Sequence, residues 1–450
     1  MKRDLLKGAA TSALVLAGLA VGRPAHAIPA FAAQTGLPCA ACHIGFPQLT
    51  PFGRIFKMEA YVLGTHDYPS LRNFSAMVQA GFTHVKDKVP GGLAPDFPSN
   101  NAWSAQQTSL FYGGVLDKKL GLGAFIQGTY DGVGHQFSWD NTDIRFAQGA
   151  KLLGKPMIYG FTFNNSPGLT DLWNTLPAWG YPFIPPALGV GNTASIQISA
   201  LAQAVAGVGG YVAVNATPAN LLYGEVDLYK ALPDHTAYAL GAGPEAGVAG
   251  AIPYWRFAIQ HSLGENSIEF GTSGLVDHPY PSGLKHGPTD DITDLGVDTQ
   301  FQHISANQAI SLQASYFHEA QHWGASYPLG DTANLNDSLN METVTVSYLW
   351  HQLFGATESF NNIDGTADSG LYNLDSANAN GKPNTQSFTT ELDYYPFNRG
   401  GPKFFPWVNA KFFVENTFYT QFNGRAHNYD GNGRNASAND VLFTGIWLVF

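Results

Sequence analysis

Cysteine is almost absent from this chain, which has two cysteines in 450 residues. Both lie in the stretch Cys39-Ala40-Ala41-Cys42-His43, so a framework of disulfides holding the fold together is excluded. Charged side chains are also scarce, at 13% of residues against roughly 25% in an average soluble domain. The net charge of −11 argues against a nucleic-acid partner and suits cations or basic soluble proteins.

Long apolar runs are missing as well. Beyond residue 27 no run approaches the roughly 18 apolar residues of a membrane-spanning helix, which excludes a helical membrane protein. Mean hydropathy is −0.09, although 13% of residues are aromatic and 50 are glycine. Few charges, many aromatics and near-zero hydropathy are typical of a transmembrane β-barrel, whose strands alternate lipid-facing apolar and lumen-facing polar residues.

The first 27 residues have the pattern of an export signal. Positive charges at Lys2, Arg3 and Lys7 precede the apolar run 9–21, and residues 25–27 (Ala-His-Ala) match the small-x-small cleavage rule. We expect the mature chain to begin directly after this site.

The two cysteines and the residue that follows them form the sequence C-x-x-C-H, the attachment signature of a c-type haem. Cys39 and Cys42 would bind the vinyl groups as thioethers, and His43 would offer a neutral imidazole nitrogen to the iron as proximal ligand. A disulfide or redox C-x-x-C pair is the alternative, but it lacks the βαβ context and does not explain the histidine. The sequence therefore predicts one covalent haem c.

The distal ligand stays open at this point. His66, just after the predicted helix described below, and Met58, on its apolar face, are equal candidates. Met77 and His84, on the first predicted strand, are further candidates if they point into the lumen. A methionine would raise the reduction potential relative to a second histidine.

The haem module has one clear helix signal. Thr50 is the predicted N-cap, Pro51 takes the first helical position, and Gly64 is the predicted stop. Apolar residues at helical spacing predict a face that covers one side of the porphyrin. They are Phe52, Ile55, Phe56, Met58, Val62 and Leu63. A module of this size needs a wall around it to bury a haem.

From Asn73 the hydrophobic period changes to two, and breakers divide the chain into about 16 strands, an even number as expected for a bacterial barrel. The predicted strands are 73–85, 104–116, 120–131, 142–153, 156–165, 200–217, 221–231, 252–263, 267–276, 291–304, 309–318, 340–350, 356–362, 385–396, 405–421 and 441–450. Short periplasmic turns should alternate with eight long loops, including 166–195 and 362–383, that face outside. A soluble sandwich or propeller does not predict this alternation.

The last predicted strand is the sharpest barrel signal. Leu442, Thr444, Ile446, Leu448 and Phe450 fall on one face, and the terminal aromatic resembles the assembly signal of outer-membrane proteins. A soluble protein seldom leaves such an edge bare, because it invites pairing with other chains.

Read together, the haem module resembles the outer-membrane cytochrome-porin fusions, monohaem proteins of iron-oxidising bacteria in which a small cytochrome plugs a barrel. The matching residues are 28–31 (Ile-Pro-Ala-Phe), 34–36 (Gln-Thr-Gly), 39–43, Phe46-Pro47, Leu49 and 52–57 (Phe-Gly-Arg-Ile-Phe-Lys). This chain departs from the family at two positions. It has Ala33 where the family usually has an arginine, and Ala60 where the family usually has a glycine. If that Arg pairs with a haem propionate, the contact is missing here.

The chain is thus divided into a signal peptide (1–27), a monohaem plug (28–72) and an outer-membrane barrel (73–450). The resemblance implies electron transfer from extracellular Fe(II), or another external donor, through the haem to a periplasmic cytochrome, in contact with outer-membrane lipid. Any Fe(II) oxidase activity is expected to consist of this electron transfer. The alternatives are a solute porin with a structural or sensory haem and a conduit to an extracellular acceptor. A haem enzyme such as a peroxidase would need a distal acid and base, which the sequence does not show.

Two other patterns have competing explanations. His318, Glu319 and His322 match the zinc signature H-E-x-x-H, but on a strand positions i and i+4 lie about 13 Å apart, too far for one metal. A group of acidic residues in or beside the predicted outer loops would either draw cations inward or, as is commoner, be solvated loop charge. They are Asp290, Asp291, Asp294, Asp364, Asp368 and Asp375.

Overall fold

The structure is a computed structural model that describes residues 30–64, 66–89, 92–192, 194–242, 246–281, 284–372, 378–399 and 408–450. The predicted signal peptide, Asp375 and the start of the strand predicted at 405 lie outside these residues. No helix in the described ranges has the length and apolar character needed to span a membrane.

Sixteen antiparallel strands form one closed barrel, so the predicted all-β class and strand number are confirmed. Each strand pairs with the next along the chain, and the last pairs with the first. The strands are β1 Phe74–Val85, β2 Ala102–Asp117, β3 Leu122–Asp131, β4 Gln136–Leu152, β5 Lys155–Asn164, β6 Val205–Thr217, β7 Asn220–Ala231, β8 Ile252–Leu263, β9 Asn266–Asp277, β10 Asp291–Ile304, β11 Gln308–His322, β12 Asn336–Trp350, β13 Phe354–Gly365, β14 Thr385–Tyr394, β15 Asn409–Gln421 and β16 Val441–Val449.

The strands alternate between an apolar exterior and a polar interior. On β10, Leu295 and Val297 are more than half exposed on the outer surface, whereas Asp294 and Asp298 are buried inside. This arrangement is the one a membrane barrel requires, because the outer side chains face lipid and the inner ones face the lumen.

Closure of the barrel depends on the C-terminal strand. β16 pairs with β1 from Met77 opposite Val449 to Val85 opposite Val441, and the terminal Phe450 amide donates to the Ala76 carbonyl at 2.9 Å. The sheet therefore has no free edge, which satisfies its backbone hydrogen bonds without water.

The predicted alternation of short turns and long loops fails at two places. β4 begins at Gln136 rather than 142, so its connection from β3 is only 132–135. A register shift between Ile126 and Gly128 interrupts this pairing, and the bulge hides the period of two in the sequence. On the opposite rim, β14 and β15 are joined by a long connection, 395–408.

The connection from β5 to β6 was predicted to face outside, and this prediction is wrong. Its residues 165–192, called the lumen loop below, fold into the barrel. The Trp173 indole N–H donates to Gln260 on β8 at 2.9 Å, and Tyr419 on β15 donates to the Val190 carbonyl at 2.8 Å. The loop thus crosses the lumen from one wall to the other.

Residues 30–64 and 66–73 are called the N-terminal segment, and this segment contacts the inner wall of the barrel. Its described residues form three α-helices, α1 Ala30–Thr35, α2 Cys39–Cys42 and α3 Pro51–Met58, and a 3₁₀ helix at Leu71–Asn73. Tyr61 and Arg54 hydrogen-bond to wall residues at 2.6 and 2.9 Å, and the Phe46 ring packs 5.6 Å from a wall tryptophan. The wall residues contacted in this way are Asp143 on β4, Gln302 on β10 and Trp447 on β16.

Helix α3 starts as predicted and ends early. The Thr50 side chain accepts from the Gly53 amide, and Pro51 takes the first position. The helix stops at Met58 rather than near Gly64, because Ala60 and Tyr61 adopt left-handed φ values of 55° and 60°. Glycine adopts such φ values without steric cost, whereas residues with a Cβ adopt them less readily.

The predicted apolar face of α3 is wrong in part. Phe52 and Ile55 are 37% and 42% exposed, whereas the basic residues Arg54 and Lys57 are buried. The reason is that α3 packs against a polar barrel interior, where charged side chains find partners. In the described connections between strands there are four short α-helices: α4 Gln197–Ala200, α5 Asp234–Ala239, α6 Ser326–Leu329 and α7 Ser369–Tyr372.

Candidate functional site

Cys39, Cys42 and His43 line one cavity of about 480 Å³, called the cysteine cavity. Its walls come from the N-terminal segment, the lumen loop and strands β1 to β4 and β16. Apolar side chains of the lining include Phe31, Leu37, Phe46, Leu49, Phe56, Phe111, Phe125, Trp179, Phe183 and Trp447. The volume and the mainly apolar lining are those of a small-molecule or cofactor site.

The two cysteines are held on the single turn of α2, and both are free thiols. Burial raises the pKa of Cys39, and burial together with the nearby Cys39 raises the pKa of Cys42 to about 11. A redox-active C-x-x-C pair needs a thiolate near neutral pH. This environment disfavours that alternative.

His43 is oriented by a hydrogen bond to its own loop. Its Nδ1 lies 3.1 Å from the Pro47 carbonyl oxygen, to which it donates as the protonated nitrogen. Burial lowers the pKa of His43 and so favours the neutral ring. A metal-binding histidine commonly fixes its second nitrogen in this way, which leaves Nε2 with a lone pair for the metal.

Helices α2 and α3 are locked together behind the cysteines. The Thr50 amide donates to the Cys42 carbonyl at 2.9 Å, and its hydroxyl donates to the Ala41 carbonyl at 2.7 Å. Gly53 approaches so closely that a Cβ there would lie 2.3 Å from the Cys42 carbonyl oxygen. The capped start of α3 therefore fixes the position of both cysteines.

Lys57 is the one lysine in the described lining of the cysteine cavity. Its Nζ donates to the carbonyls of Leu169 and Asp171 at 2.8 Å each and lies 5.0 Å from the centroid of the Trp179 ring. Burial, reinforced by the nearby Arg145 charge, lowers its pKa to about 7. Lys57 thus links the N-terminal segment to the lumen loop.

The candidate distal ligands lie in different places. Met58 packs in a cluster with Trp173 and Tyr211. His66 lies near the C-terminal end of the N-terminal segment, where its Nε2 is 3.2 Å from an Arg72 side-chain nitrogen. Neither lines the cysteine cavity. Met77 does line it, with only 3% of its surface exposed.

The H-E-x-x-H sequence lies within β11, which runs to His322 and so extends past the strand end predicted at 318. Glu319 faces the lumen, whereas His318 and His322 face outward and pair with asparagines on β12 at 2.8 Å each. The described residues contain no group of three or more His, Cys, Asp or Glu side chains able to hold a metal ion. The zinc signature is therefore accidental.

Solvated loop charge, the commoner explanation for the acidic residues, is wrong for the buried ones. Asp290 accepts from the amides of Ala325 and Ser326, and Asp368 accepts from four backbone amides. Asp294 accepts from the Ile198 amide at 2.7 Å. These carboxylates anchor connections to the barrel. Asp291, half-exposed beside His278, remains a surface charge.

A second cavity of about 390 Å³, called the loop cavity, lies between the lumen loop and strands β11 to β16. Asn174, Pro177, Gly180 and Pro182 line both cavities, so this part of the loop is a shared wall. Sequence reasoning missed the loop cavity, because the loop carries no local signal that it turns inward.

No protein-family model and no curated protein matches this chain. The anion-selective porin from Comamonas acidovorans has 11% identity over 84% of this chain and 98% of its own, with a TM-score of 0.46. Pseudomonas putida OprB has 12% identity, coverage of 84% and 93%, and a TM-score of 0.45. The loop L8 deletion mutant of Vibrio cholerae OmpT has 9% identity over 84% of this chain and 97% of its own, with a TM-score of 0.43. The assignment of a closed barrel rests on the strand pairing of this structure and not on these similarities.

Proposed function

We propose that the N-terminal segment is a c-type haem plug in an outer-membrane barrel, and that the protein transfers electrons across the outer membrane of a Gram-negative bacterium. The donor is extracellular Fe(II) or another external reductant, and the acceptor is a periplasmic cytochrome. The observation that carries the proposal is a single cavity lined by Cys39, Cys42 and an imidazole whose Nδ1 is already committed to Pro47.

The residues of the cysteine cavity fit the haem. Cys39 and Cys42 would hold it as thioethers, and Nε2 of His43 would be the proximal ligand. The aromatic lining excludes water, which stabilises a bound apolar macrocycle. When bound, the haem supplies one-electron chemistry. The amides of Gln107, Gln127 and Asn141 and the ammonium of Lys57 offer polar contacts at the cavity edge.

Ala33 does not line the cavity, and the described lining contains no arginine. A propionate bound in the cavity would therefore lack a guanidinium partner among these residues. Because an unpaired carboxylate favours the oxidised, more positive iron, we expect a lower potential than an arginine-paired haem would have.

The barrel rims give the protein its direction. The short turns after β2, β4, β6, β8, β10 and β12 lie on the same rim as the start of β1 and the end of β16, and in bacterial barrels the rim with the short turns faces the periplasm. Phe52 and Ile55 of the N-terminal segment remain exposed and do not line the cysteine cavity, and exposed apolar side chains of this kind suit transient docking of a soluble carrier. On the other side, the shared wall of the lumen loop separates the cysteine cavity from the loop cavity.

We expect Fe(II) added to whole cells to convert the haem spectrum to its reduced form, because the donor needs no passage through the membrane. The Cys39→Ala/Cys42→Ala variant, lacking both attachment points, is the matched control and should show no haem signal. Difference spectra of intact cells check this.

An oxidised spectrum that membrane-impermeant reductants leave unchanged would contradict the proposal. Open-channel conductance of the purified protein in planar bilayers, combined with that result, would favour a solute porin with a structural haem. The wall contacts of the N-terminal segment and the lumen loop argue for an obstructed lumen.

Gly53→Ala tests the coupling of α3 to the haem attachment site. The new methyl group would lie 2.3 Å from the Cys42 carbonyl oxygen, so α2 and α3 must separate, at a cost of about 1 to 3 kcal/mol. We expect haem content per polypeptide to fall several-fold. Gly149→Ala on β4 is the control, because nothing lies within 4 Å of its Cβ position. Equal haem content in both variants would show that this close approach is unimportant.

A further inference from the structure

In a six-coordinate electron-transfer haem, the sixth ligand is typically a nitrogen or sulfur atom of a side chain inside the cavity that holds the haem. The described lining of the cysteine cavity contains one histidine, His43, and one methionine, Met77. With His43 assigned as proximal ligand and both cysteine sulfurs assigned to the thioether bonds, Met77 is the remaining sulfur donor among these residues.

The other candidates are committed elsewhere. The Met58 side chain is buried against Trp173 and Tyr211, outside the cysteine cavity. His66 is paired with Arg72. His84 lies near the far end of β1, where its Nδ1 is 2.8 Å from the Asn101 side-chain oxygen.

Two nitrogen and oxygen donors of the cavity, Lys57 and Tyr61, are also engaged. Lys57 Nζ donates to two lumen-loop carbonyls, and the Tyr61 hydroxyl donates to Asp143 at 2.6 Å. Coordination by either would break contacts inside a buried network, whereas a thioether has no such contacts to lose.

Met77 is rigidly placed by the barrel itself. On β1, Met77 is paired with Ser109 of β2 on one side and with Val449 of β16 on the other, at the point where the barrel closes. The Gln79 side-chain amide donates to Met77 Sδ at 3.8 Å. A sulfur acceptor retains a second lone pair, so this contact orients the thioether while leaving it able to bind a metal.

We propose that Met77 is the distal ligand of the haem iron, so that the proximal ligand comes from the plug and the distal ligand from the barrel wall. This inference rests on the proposed haem. The iron would then join the two parts of the chain, and a sulfur ligand would raise its potential relative to bis-histidine ligation.

The test compares purified, haem-loaded Met77→Leu and Met77→His with Met341→Leu, an inward-facing methionine of the loop cavity that serves as control. Met58→Leu and His66→Ala represent the rival ligands. Absorption and magnetic circular dichroism of the oxidised protein detect the sulfur-to-iron charge-transfer band. Carbon monoxide binding by the reduced protein reports an open sixth position, and redox titration gives the midpoint potential.

We expect Met77→Leu alone among the single methionine-to-leucine changes to lose the charge-transfer band, to gain carbon monoxide binding and to have a lowered potential. Met77→His should restore a six-coordinate spectrum without that band. An unchanged band in Met77→Leu, or its loss in Met58→Leu, overturns the assignment, as does a wild-type histidine-histidine spectrum abolished by His66→Ala. A wild-type protein without covalent haem overturns the proposed function itself.

Discussion

In the His43→Ala variant we expect complete loss of the normal low-spin haem spectrum, while the barrel still assembles. His43 is the histidine in the described lining of the cysteine cavity, and its Nδ1 contact to Pro47 leaves Nε2 available to the iron of the proposed haem. The barrel satisfies its backbone hydrogen bonds by its own closed strand pairing. Loss of the proximal ligand should therefore leave the sheet intact. Absorption spectra and heat-modifiable migration of outer-membrane fractions measure the two results separately.

The matched control is His318→Ala, which removes an exposed histidine on the outer face of β11. It should change neither measurement. If His43→Ala instead fails to reach the outer membrane and shows no heat-modifiable form, then haem attachment directs barrel assembly, and the two parts of the chain do not fold independently.

The Arg256→Leu variant should be less stable by about 3 to 5 kcal/mol, because it removes one cation from among buried carboxylates. The Arg256 guanidinium is fully buried and lies 2.8 Å from Asp298, 3.1 Å from Asp171 and 3.4 Å from Glu269. Asp171 belongs to the lumen loop, so the same change should loosen the shared wall of the two cavities. Urea unfolding of the detergent-solubilised protein, followed by circular dichroism, measures the loss.

Lys86→Leu is the matched control, because it breaks an ion pair whose lysine side chain is 55% exposed. Such a pair contributes about 1 kcal/mol or less. Adding Asp298→Asn to Arg256→Leu should recover part of the stability, since one uncompensated charge is removed. Equal unfolding midpoints for Arg256→Leu and Lys86→Leu would show that water or ions reach the carboxylates of this lumen network.

The barrel could be predicted from sequence because its signal is local. The period of two, the breakers between runs and the terminal aromatic strand are properties of neighbouring residues, and they gave the strand number found in the structure. The prediction failed where a bulge interrupts the period, at the start of β4, and where a partner far along the chain sets the path of a loop. Trp173 to Gln260 is such a pair.

The candidate site divides in the same way. The sequence alone determined that Cys39, Cys42 and His43 are adjacent, because the C-x-x-C-H spacing lies within one helical turn and the residue after it. Only the tertiary structure decided which methionine shares their cavity. Met58 is near them in sequence but packs against Trp173 and Tyr211, whereas Met77 is brought to the cavity wall by barrel closure. The physical reason is that the register of a strand decides which face of the sheet its side chains occupy. In a closed barrel that register depends on pairing between strands far apart in the chain, here the first and the last.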